Sequence, residues 1–319
     1  MKVSVLISNY NYARYLRAAI NSVLAQTYSE YEVIVVDDGS TDNSHDVIRQ
    51  LQQETPDKVN PIFQENRGQG TAFNNAFEAS SGEIIAFLDA DDIWKPNKLQ
   101  RVMEAFDTPD VVGVMHQSER VDSKGNIIYG GSSNRKVLSE DLARLIVDTG
   151  NTWRYPPTSA LAYRRSALEK VLPMDPVKWQ LCADGCLVYC TAFLGKIKTL
   201  NEVLMSYRIH GANNHASFAS KRKAKYPAGT EMTNRYINDF LESIGYPERV
   251  DLSRNLDYRR KKYYLQEKFD AREIWAVSGL ILRWPFYTRV EKAKYLARFL
   301  VKSVGLYLFS KIKSNRILG

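Results

Sequence analysis

The sequence predicts an α/β fold in which strand–helix units build a parallel sheet. Short apolar runs typical of buried strands alternate with segments whose apolar residues recur at helical spacing. The clear strand runs end in polar residues, and 319 residues with 44% hydrophobic content can bury one α/β domain plus an appendage. Because ligands of such sheets bind at the carboxyl ends of the strands, we expect a polar crevice there.

The first two units are clear in the sequence. Residues 3–7 read as a buried strand that stops at the polar residues 8–11, and residues 15–24 follow with helical periodicity. The apolar residues 33–36 then predict a second strand buried on both faces. That strand runs into Asp38, which we expect to lie in the crevice.

The third unit has a weak strand around residues 62–63 and a glycine-containing turn, residues 66–70, that opens a helix over 71–79. Gly68 and Gly70 lack the remaining glycine of a dinucleotide-binding fingerprint, which argues against a Rossmann dehydrogenase. There is no Walker loop either.

The fourth strand, residues 84–88, delivers three carboxylates: Asp89, Asp91 and Asp92. An Asp-x-Asp spacing at a strand end makes a hard-oxygen site for a divalent cation that carries a diphosphate. This pattern indicates nucleotide-sugar chemistry. The alternative is a solvated acidic loop in which Asp92 caps the next helix.

Four segments, residues 4–11, 35–42, 66–75 and 87–92, resemble in order and spacing the signatures of family 2 glycosyltransferases. The resemblance is strong over residues 1–110, looser over 155–215, and does not cover the last hundred residues. It implies a GT-A fold and an inverting, non-processive transfer from a UDP- or dTDP-sugar to a hydroxyl acceptor. Processive synthases of the family carry Gln-x-x-Arg-Trp, and Leu280 stands here in place of that Gln.

The resemblance also implies roles in donor binding. Ser8 and Tyr10 match the residues that hold the nucleobase, and Asp38 matches the carboxylate that accepts from uracil N3–H, which favours uridine or thymidine over cytidine. Arg67 matches a basic residue near the base or the diphosphate, and Asp89 a ribose contact. Alternatively, Tyr10 packs under a loop and Arg67 is a surface charge.

For the chemistry itself, the resemblance assigns Asp91 as the ligand of Mn²⁺ or Mg²⁺, with His210 completing the metal shell or contacting the diphosphate. Inversion needs a base opposite the leaving group, and Asp184 is the candidate. Ala183 replaces the Glu that usually precedes this Asp, which leaves the base in place but removes a carboxylate that would contact the acceptor, so the resemblance does not identify the acceptor. Asp184 could also be the N-cap of a helix that ends at Gly195.

The basicity of the chain is a property of its C-terminal part. Residues 1–215, the predicted catalytic domain, hold 22 Lys and Arg against 26 Asp and Glu, a net charge of −4. Residues 216–319, predicted to be mainly helical, hold 22 against 10, a net charge of +12. Lys294, Arg298 and Lys302 form a basic stripe, which we expect to lie opposite Leu296, Phe299, Leu300, Val304 and Tyr307. Such a helix either packs on the catalytic domain or lies on anionic lipid headgroups.

The remaining expectations concern location, partners and alternatives. No charge-free apolar run reaches transmembrane length and no signal peptide precedes the first strand, which predicts a cytoplasmic protein with peripheral contact at the inner face of the cell membrane. A lipid-linked glycan is then a fitting acceptor, and no motif predicts nucleic-acid binding. The alternatives are a sugar nucleotidyltransferase, which would need a glycine-rich basic loop after the first strand, and a non-catalytic nucleotide-sugar-binding protein.

Overall fold

The computed structural model describes residues 1–129, 141–151, 155–179, 183–211, 214–266 and 269–315, and for 214–227, 306 and 308–315 it describes the backbone alone. The chain divides into two compact units. The first comprises Met1–Leu142 and Tyr155–Ser220, and the second Ala143–Arg154 and Lys221–Gly319. The second unit thus includes a segment from the middle of the chain as well as the C-terminal region.

Strand–helix alternation opens the first unit as the sequence predicts. Its first half contains β1 (Val3–Asn9), α1 (Ala13–Leu24), β2 (Tyr31–Asp38), α2 (Ser44–Glu54), β3 (Val59–Gln64), α3 (Gln69–Glu78), β4 (Ile84–Asp89), β5 (Ile93–Trp94) and α4 (Lys98–Ala105). The rest contains β6 (Val111–Val121), β7 (Ile127–Tyr129), a 3-10 turn (Thr158–Ala160), β8 (Leu161–Arg164), α6 (Arg165–Leu168), α7 (Ala183–Thr191) and β9 (Lys196–Arg208). Between β7 and the 3-10 turn lies α5 (Leu142–Thr149), most of which belongs to the second unit.

The described strands form one mixed sheet in the order β3-β2-β1-β4-β8-β6-β9-β5, with β7 paired to β6. The neighbours β3, β2, β1 and β4 are parallel, whereas β8 runs antiparallel to both β4 and β6. The chain order reverses between β1 and β4, and such a switch point is where an open α/β sheet forms its ligand crevice. This arrangement, with helices around a twisted sheet, is the GT-A type of fold.

Burial explains why these segments become strands and helices. Val3, Val5, Leu6 and Ile7 are fully buried, as a strand covered on both faces requires. Helix α1 turns Leu16, Ala19, Ile20 and Val23 inward at helical spacing. Together with the inward side chains of the sheet they form the core that fixes the strand ends.

The second unit is built from helices. It contains part of α8 (Asn214–Ser243), α9 (Leu256–Leu265), α10 (Ala271–Arg283) and α11 (Arg289–Asn315). Its core consists of Leu256, Tyr263, Val277, Ile281, Trp284 and Phe299. Two helices begin at side-chain caps: Asn255 accepts from the Tyr258 N–H, and Asp270 accepts from the Arg272 and Glu273 N–H groups.

The apolar residues predicted to lie opposite the basic stripe of α11 divide between a buried and an exposed arc. Phe299 is buried in the core, whereas Leu300, Val304 and Tyr307 are 40%, 55% and 40% exposed. The helix packs through a narrow arc around Phe299 and Ser303, which leaves a second apolar stripe outside. Within the part of the chain that is described, no helix combines the length and the apolar character needed to cross a bilayer.

Gly195, expected to end α7, instead lies just before β9, and α7 ends at Thr191. A Cβ at Gly195 would stand 2.5 Å from Val112 Cγ1 and 2.8 Å from the Asp110 carbonyl oxygen. The glycine therefore permits a close backbone approach beside the β6–β9 pair.

We predict that Gly195→Ala lowers the free energy of unfolding by about 1–3 kcal/mol, the usual cost of overpacking. Gly211→Ala is the matched control in the same unit, because an added Cβ there would meet no atom within 4 Å. Urea denaturation followed by circular dichroism measures both. Equal stability of Gly195→Ala and wild type would contradict the close approach.

Candidate active site

Strands β1, β2 and β4 end side by side, at the place where this type of sheet is expected to form a ligand crevice. In the strand register Ser8 pairs with Val36 of β2 and with Asp89 of β4, and Asn9 pairs with Asp37. The parallel strands thus bring Ser8, Asp38 and Asp89 to one edge of the sheet. Tyr10 follows β1 and is 45% exposed at the same edge.

Asp38 holds the loop that carries Arg67. Its Oδ1 accepts from the Gln64 side chain at 2.7 Å and from the Arg67 N–H at 2.8 Å, and its Oδ2 accepts from the Gly68 N–H at 2.8 Å. Gly68 has a φ of 86°, a conformation that favours glycine. The Arg67 side chain is 67% exposed. Asp38 therefore fixes the backbone of this loop, and its predicted contact with a nucleobase remains a prediction.

Asp37, for which the sequence analysis predicts no ligand role, is the anchor of the two loops that flank this edge. Its buried carboxylate accepts from the Asn9 side chain at 2.7 Å and from the Ser40 N–H at 2.8 Å. His45 Nε2 lies 2.9 Å from Asp37 Oδ1. This network stiffens the chain around Tyr10.

Asp91 and His210 meet, although 119 positions separate them. His210 Nε2 lies 2.9 Å from Asp91 Oδ2, and both side chains are nearly buried. The rings of Tyr12 and Tyr15 pack against the imidazole, with centroids 5.5 and 4.8 Å away. Burial and the nearby carboxylates, Asp91 first among them, raise the pKa of Tyr12, so this phenol stays neutral.

Asp92 joins three distant segments at the same place. Its Oδ2 accepts from Ser159 Oγ at 2.6 Å, and its Oδ1 accepts from the Arg208 N–H at 3.0 Å. Ser159 Oγ also accepts from the Asp89 N–H at 2.9 Å, while Arg208 Nε donates to the Asp91 carbonyl at 2.9 Å. The backbone of the carboxylate loop is thus held from both sides by this Asp92 clamp, formed by Asp92, Ser159 and Arg208.

Lys98 supports the clamp from the interior of the protein. Its ammonium group is fully buried, donates to the Ser159 carbonyl at 2.8 Å and stands 3.3 Å from the centre of the Trp94 ring. Trp94 Nε1 donates to the same carbonyl at 2.9 Å. Burial lowers the pKa of Lys98 well below its usual value, and the charge of Asp92 opposes that shift.

The carboxylates repel one another. The pKa of Asp89 is raised well above its ordinary value. The largest cause is removal from water, followed by the charges of Asp92, Asp91 and Asp184. Burial and Asp91 raise the pKa of Asp92 to about 8. A divalent cation would relieve this repulsion, and the oxygen-rich residues with His210 beside them suit Mn²⁺ or Mg²⁺.

The described residues contain no group of three or more His, Cys, Asp or Glu side chains already gathered to bind a metal. Mg²⁺ bound through one or two carboxylates typically takes its other ligands from water and substrate phosphates. The assignment of Asp91 and His210 as metal ligands therefore stays a prediction, in which a diphosphate would supply further ligands.

Asp184 stands in the first turn of α7, as its second residue rather than as its N-cap. It is partly exposed and close enough to Asp89 to raise the pKa of that carboxyl. Cys186 and Cys190 are buried free thiols on the same helix, and the third cysteine, Cys182, lies outside the described residues.

Sequence reasoning missed Ser159, Tyr12, Tyr15, Lys98 and Arg208. Each contributes through a contact between remote segments, and no local motif marks a serine in a 3-10 turn or a lysine in an amphipathic helix. The one available signal was the resemblance of residues 207–214 to the Arg-x-His-x-x-Asn segment of the family, in which Arg208 precedes His210 by two positions.

Comparison with known proteins places this geometry in a family. The model for "Glycosyl transferase family 2" matches residues 4–172. An uncharacterised glycosyltransferase of Nostoc sp. is 64% identical over 318 residues, which span 99% of each chain. A putative teichuronic acid biosynthesis glycosyltransferase of Bacillus subtilis is 38% identical over 103 residues, covering 32% of this chain and 40% of its own length.

Solved structures share the fold at low identity. Staphylococcus aureus TarS 1–349 in complex with UDP-GlcNAc aligns with a TM-score of 0.57 at 18% identity, over 96% of this chain and 89% of its own. A mannosyltransferase of Pyrobaculum calidifontis in complex with GDP-Man and Mn²⁺ aligns with a TM-score of 0.55 at 18% identity, over 98% and 84%. On the family match and the full-length relative together, this chain belongs to glycosyltransferase family 2.

Proposed function

We propose that the chain catalyses an inverting transfer of a hexose-type sugar from a UDP- or dTDP-sugar to a hydroxyl acceptor. The observation that carries the proposal is the arrangement of side chains at the carboxyl ends of β1, β2 and β4. Strand ends bring Ser8, Asp38 and Asp89 to one edge, and the Asp92 clamp holds Asp91 against His210 there.

Asp184 is the proposed base. The acceptor oxygen attacks the anomeric carbon, the bond from that carbon to the diphosphate oxygen breaks, and the hydroxyl proton passes to the Asp184 carboxylate. The bonding electrons leave with the nucleoside diphosphate. Asp184 suits this role because it is partly exposed at the start of α7 and lies within electrostatic reach of Asp89.

Asp91 and His210 are the proposed protein ligands of Mn²⁺ or Mg²⁺. When bound, the ion would neutralise charge that develops on the leaving diphosphate. The rings of Tyr12 and Tyr15 fix the orientation of His210, and Arg208 fixes the backbone at Asp91. The mannosyltransferase neighbour is described with Mn²⁺, which supports a metal in this type of fold.

The choice of nucleobase rests on Asp38. Its Oδ2 accepts one in-chain hydrogen bond and keeps a lone pair that can accept from uracil or thymine N3–H. The solved neighbours are described with UDP-GlcNAc and with GDP-Man, so similarity of fold does not select the base.

We place the reaction in cell-surface polysaccharide or glycolipid assembly, with a lipid-linked glycan as acceptor at the inner face of the cell membrane. Support comes from the partial relative named for teichuronic acid biosynthesis and from the basic C-terminal region. Incubation with UDP-, dTDP- and GDP-sugars tests the enzymatic proposal through release of the nucleoside diphosphate. Release above background from a UDP- or dTDP-sugar supports it, and no release from any donor supports a non-catalytic binding protein.

Asp91→Ala should abolish the effect of metal on nucleotide binding and leave the fold intact. In the wild type, Mn²⁺ should tighten UDP binding at least about tenfold, because the ion lets carboxylates and diphosphate share one site. Titration calorimetry with Mn²⁺ and with EDTA measures both proteins, and Asp57→Ala, an exposed carboxylate elsewhere, is the control. Equal UDP affinity of the wild type in Mn²⁺ and in EDTA would overturn the metal site.

Asp184→Asn should lower turnover by about 10²- to 10⁴-fold, the usual contribution of a positioned general base. Donor affinity should stay near that of the wild type, since the acceptor proton is not involved in donor binding. Glu169→Gln, which neutralises an exposed carboxylate, is the matched control. Turnover within a few-fold of wild type would assign the base to another residue.

Ser159→Ala should weaken metal-dependent UDP binding as well as stability. It leaves the buried Asp92 Oδ2 and the Asp89 N–H without their partner, at a cost of about 1–3 kcal/mol. Ser80→Ala is the matched control, because Ser80 is also nearly buried and makes two hydrogen bonds, at the opposite end of β4. If both variants lose stability but retain wild-type UDP affinity in Mn²⁺, the clamp supports the fold and not the site.

A further inference from the structure

Helix α11 carries an apolar stripe that the helical unit does not cover. Its outward stripe consists of Val290, Ala293, Ala297, Leu300, Val301 and Val304, all exposed. Val290 and Val301 are 78% and 73% exposed. The opposite arc, around Phe299 and Ser303, packs into the core of the unit. Phe299 therefore anchors the helix while a second apolar face points outward.

Basic residues flank the outward stripe on one side. Lys294 and Arg298, which are four positions apart, lie beside the stripe, and both are exposed. Glu291, the one acidic residue of α11, is occupied by the N–H and hydroxyl of Thr288. Over its 27 residues the helix carries seven Lys and Arg against that single carboxylate. The exposed face is thus apolar on one half and positive on the other.

We propose that the outward stripe of α11 lies on an anionic lipid bilayer, with Lys294 and Arg298 at the headgroups. An apolar face flanked by Lys and Arg is the pattern of a helix that binds in the plane of a membrane interface. The positive charge of α11 favours lipid over a second copy of this chain as the occupant of the stripe, because an isologous contact would bring two strongly positive helices together. The inference deepens the proposed function, since it identifies the surface that brings the site to a lipid-linked acceptor.

The structure also determines which substitutions test this contact. Lys302 belongs to the basic stripe in the sequence, but its ammonium group lies 3.9 Å from the centre of the Tyr264 ring. Reversing Lys302 would therefore disturb packing within the unit. Lys294 and Arg298 can be reversed without that effect.

The test is co-sedimentation with vesicles of phosphatidylcholine alone and of phosphatidylcholine with phosphatidylglycerol, in the absence of nucleotide sugar. We expect the wild type to prefer the anionic vesicles and to dissociate as salt rises. Lys294→Glu with Arg298→Glu should lower the partition coefficient by about 30-fold or more, roughly fivefold for each basic residue lost. Val301→Asp with Val304→Asp should abolish binding.

Matched controls keep the comparison specific. Lys170→Glu with Arg235→Glu reverses two exposed basic residues elsewhere, and Val177→Asp places a charge on a valine that is 81% exposed in the first unit. Both should sediment like wild type, and thermal melting of every variant should match wild type.

No preference of the wild type for anionic vesicles would overturn the proposal, and this outcome needs no variant. A dimer that Val301→Asp with Val304→Asp dissolves, seen by analytical ultracentrifugation without lipid binding, would assign the stripe to self-association instead. Because the vesicle assay contains no sugar donor, neither result bears on the proposed glycosyltransferase activity. That activity is tested separately by release of the nucleoside diphosphate.

Discussion

The arrangement of the site depends on one buried carboxylate, Asp92, which carries no proposed contact with substrate. Its two oxygens accept from Ser159 and from the Arg208 N–H, and these partners belong to the 3-10 turn before β8 and to the end of β9. Those elements lie far apart in the chain. Hydrogen bonds to the 3-10 turn and to the end of β9 hold the loop that carries Asp89 and Asp91.

The same constraint explains the electrostatics of the crevice. Holding Asp89, Asp91 and Asp92 together in partly or fully buried positions raises the pKa of Asp89 and Asp92. Lys98 lies buried behind Ser159, where burial lowers its pKa well below the usual value although the charge of Asp92 opposes that shift. The negative charge gathered at these strand ends favours binding of a cation together with a diphosphate over binding of the diphosphate alone.

The fold and the edge of the site were predictable because their signals are local. The β1–α1–β2 order follows from buried-strand runs and helical periodicity. The polar strand ends predict that Ser8, Asp38 and Asp89 lie at one edge, and the strand register brings them together there. Ser159 was not predictable, since its bond to Asp92 joins residues 67 positions apart and a serine before a strand carries no motif. On α11, periodicity grouped Phe299 with Leu300 and Val304, and only packing separates the buried arc from the exposed one.

The most direct test of the central claim is a thermal-shift panel of UDP-, dTDP- and GDP-sugars with Mn²⁺. A ligand that binds only the folded protein raises its melting temperature by mass action. We expect a UDP- or dTDP-sugar to raise the melting temperature of the wild type and to lose most of this effect in EDTA. A melting temperature that no nucleotide sugar changes, or that a GDP-sugar alone raises, would contradict the donor site described for this crevice.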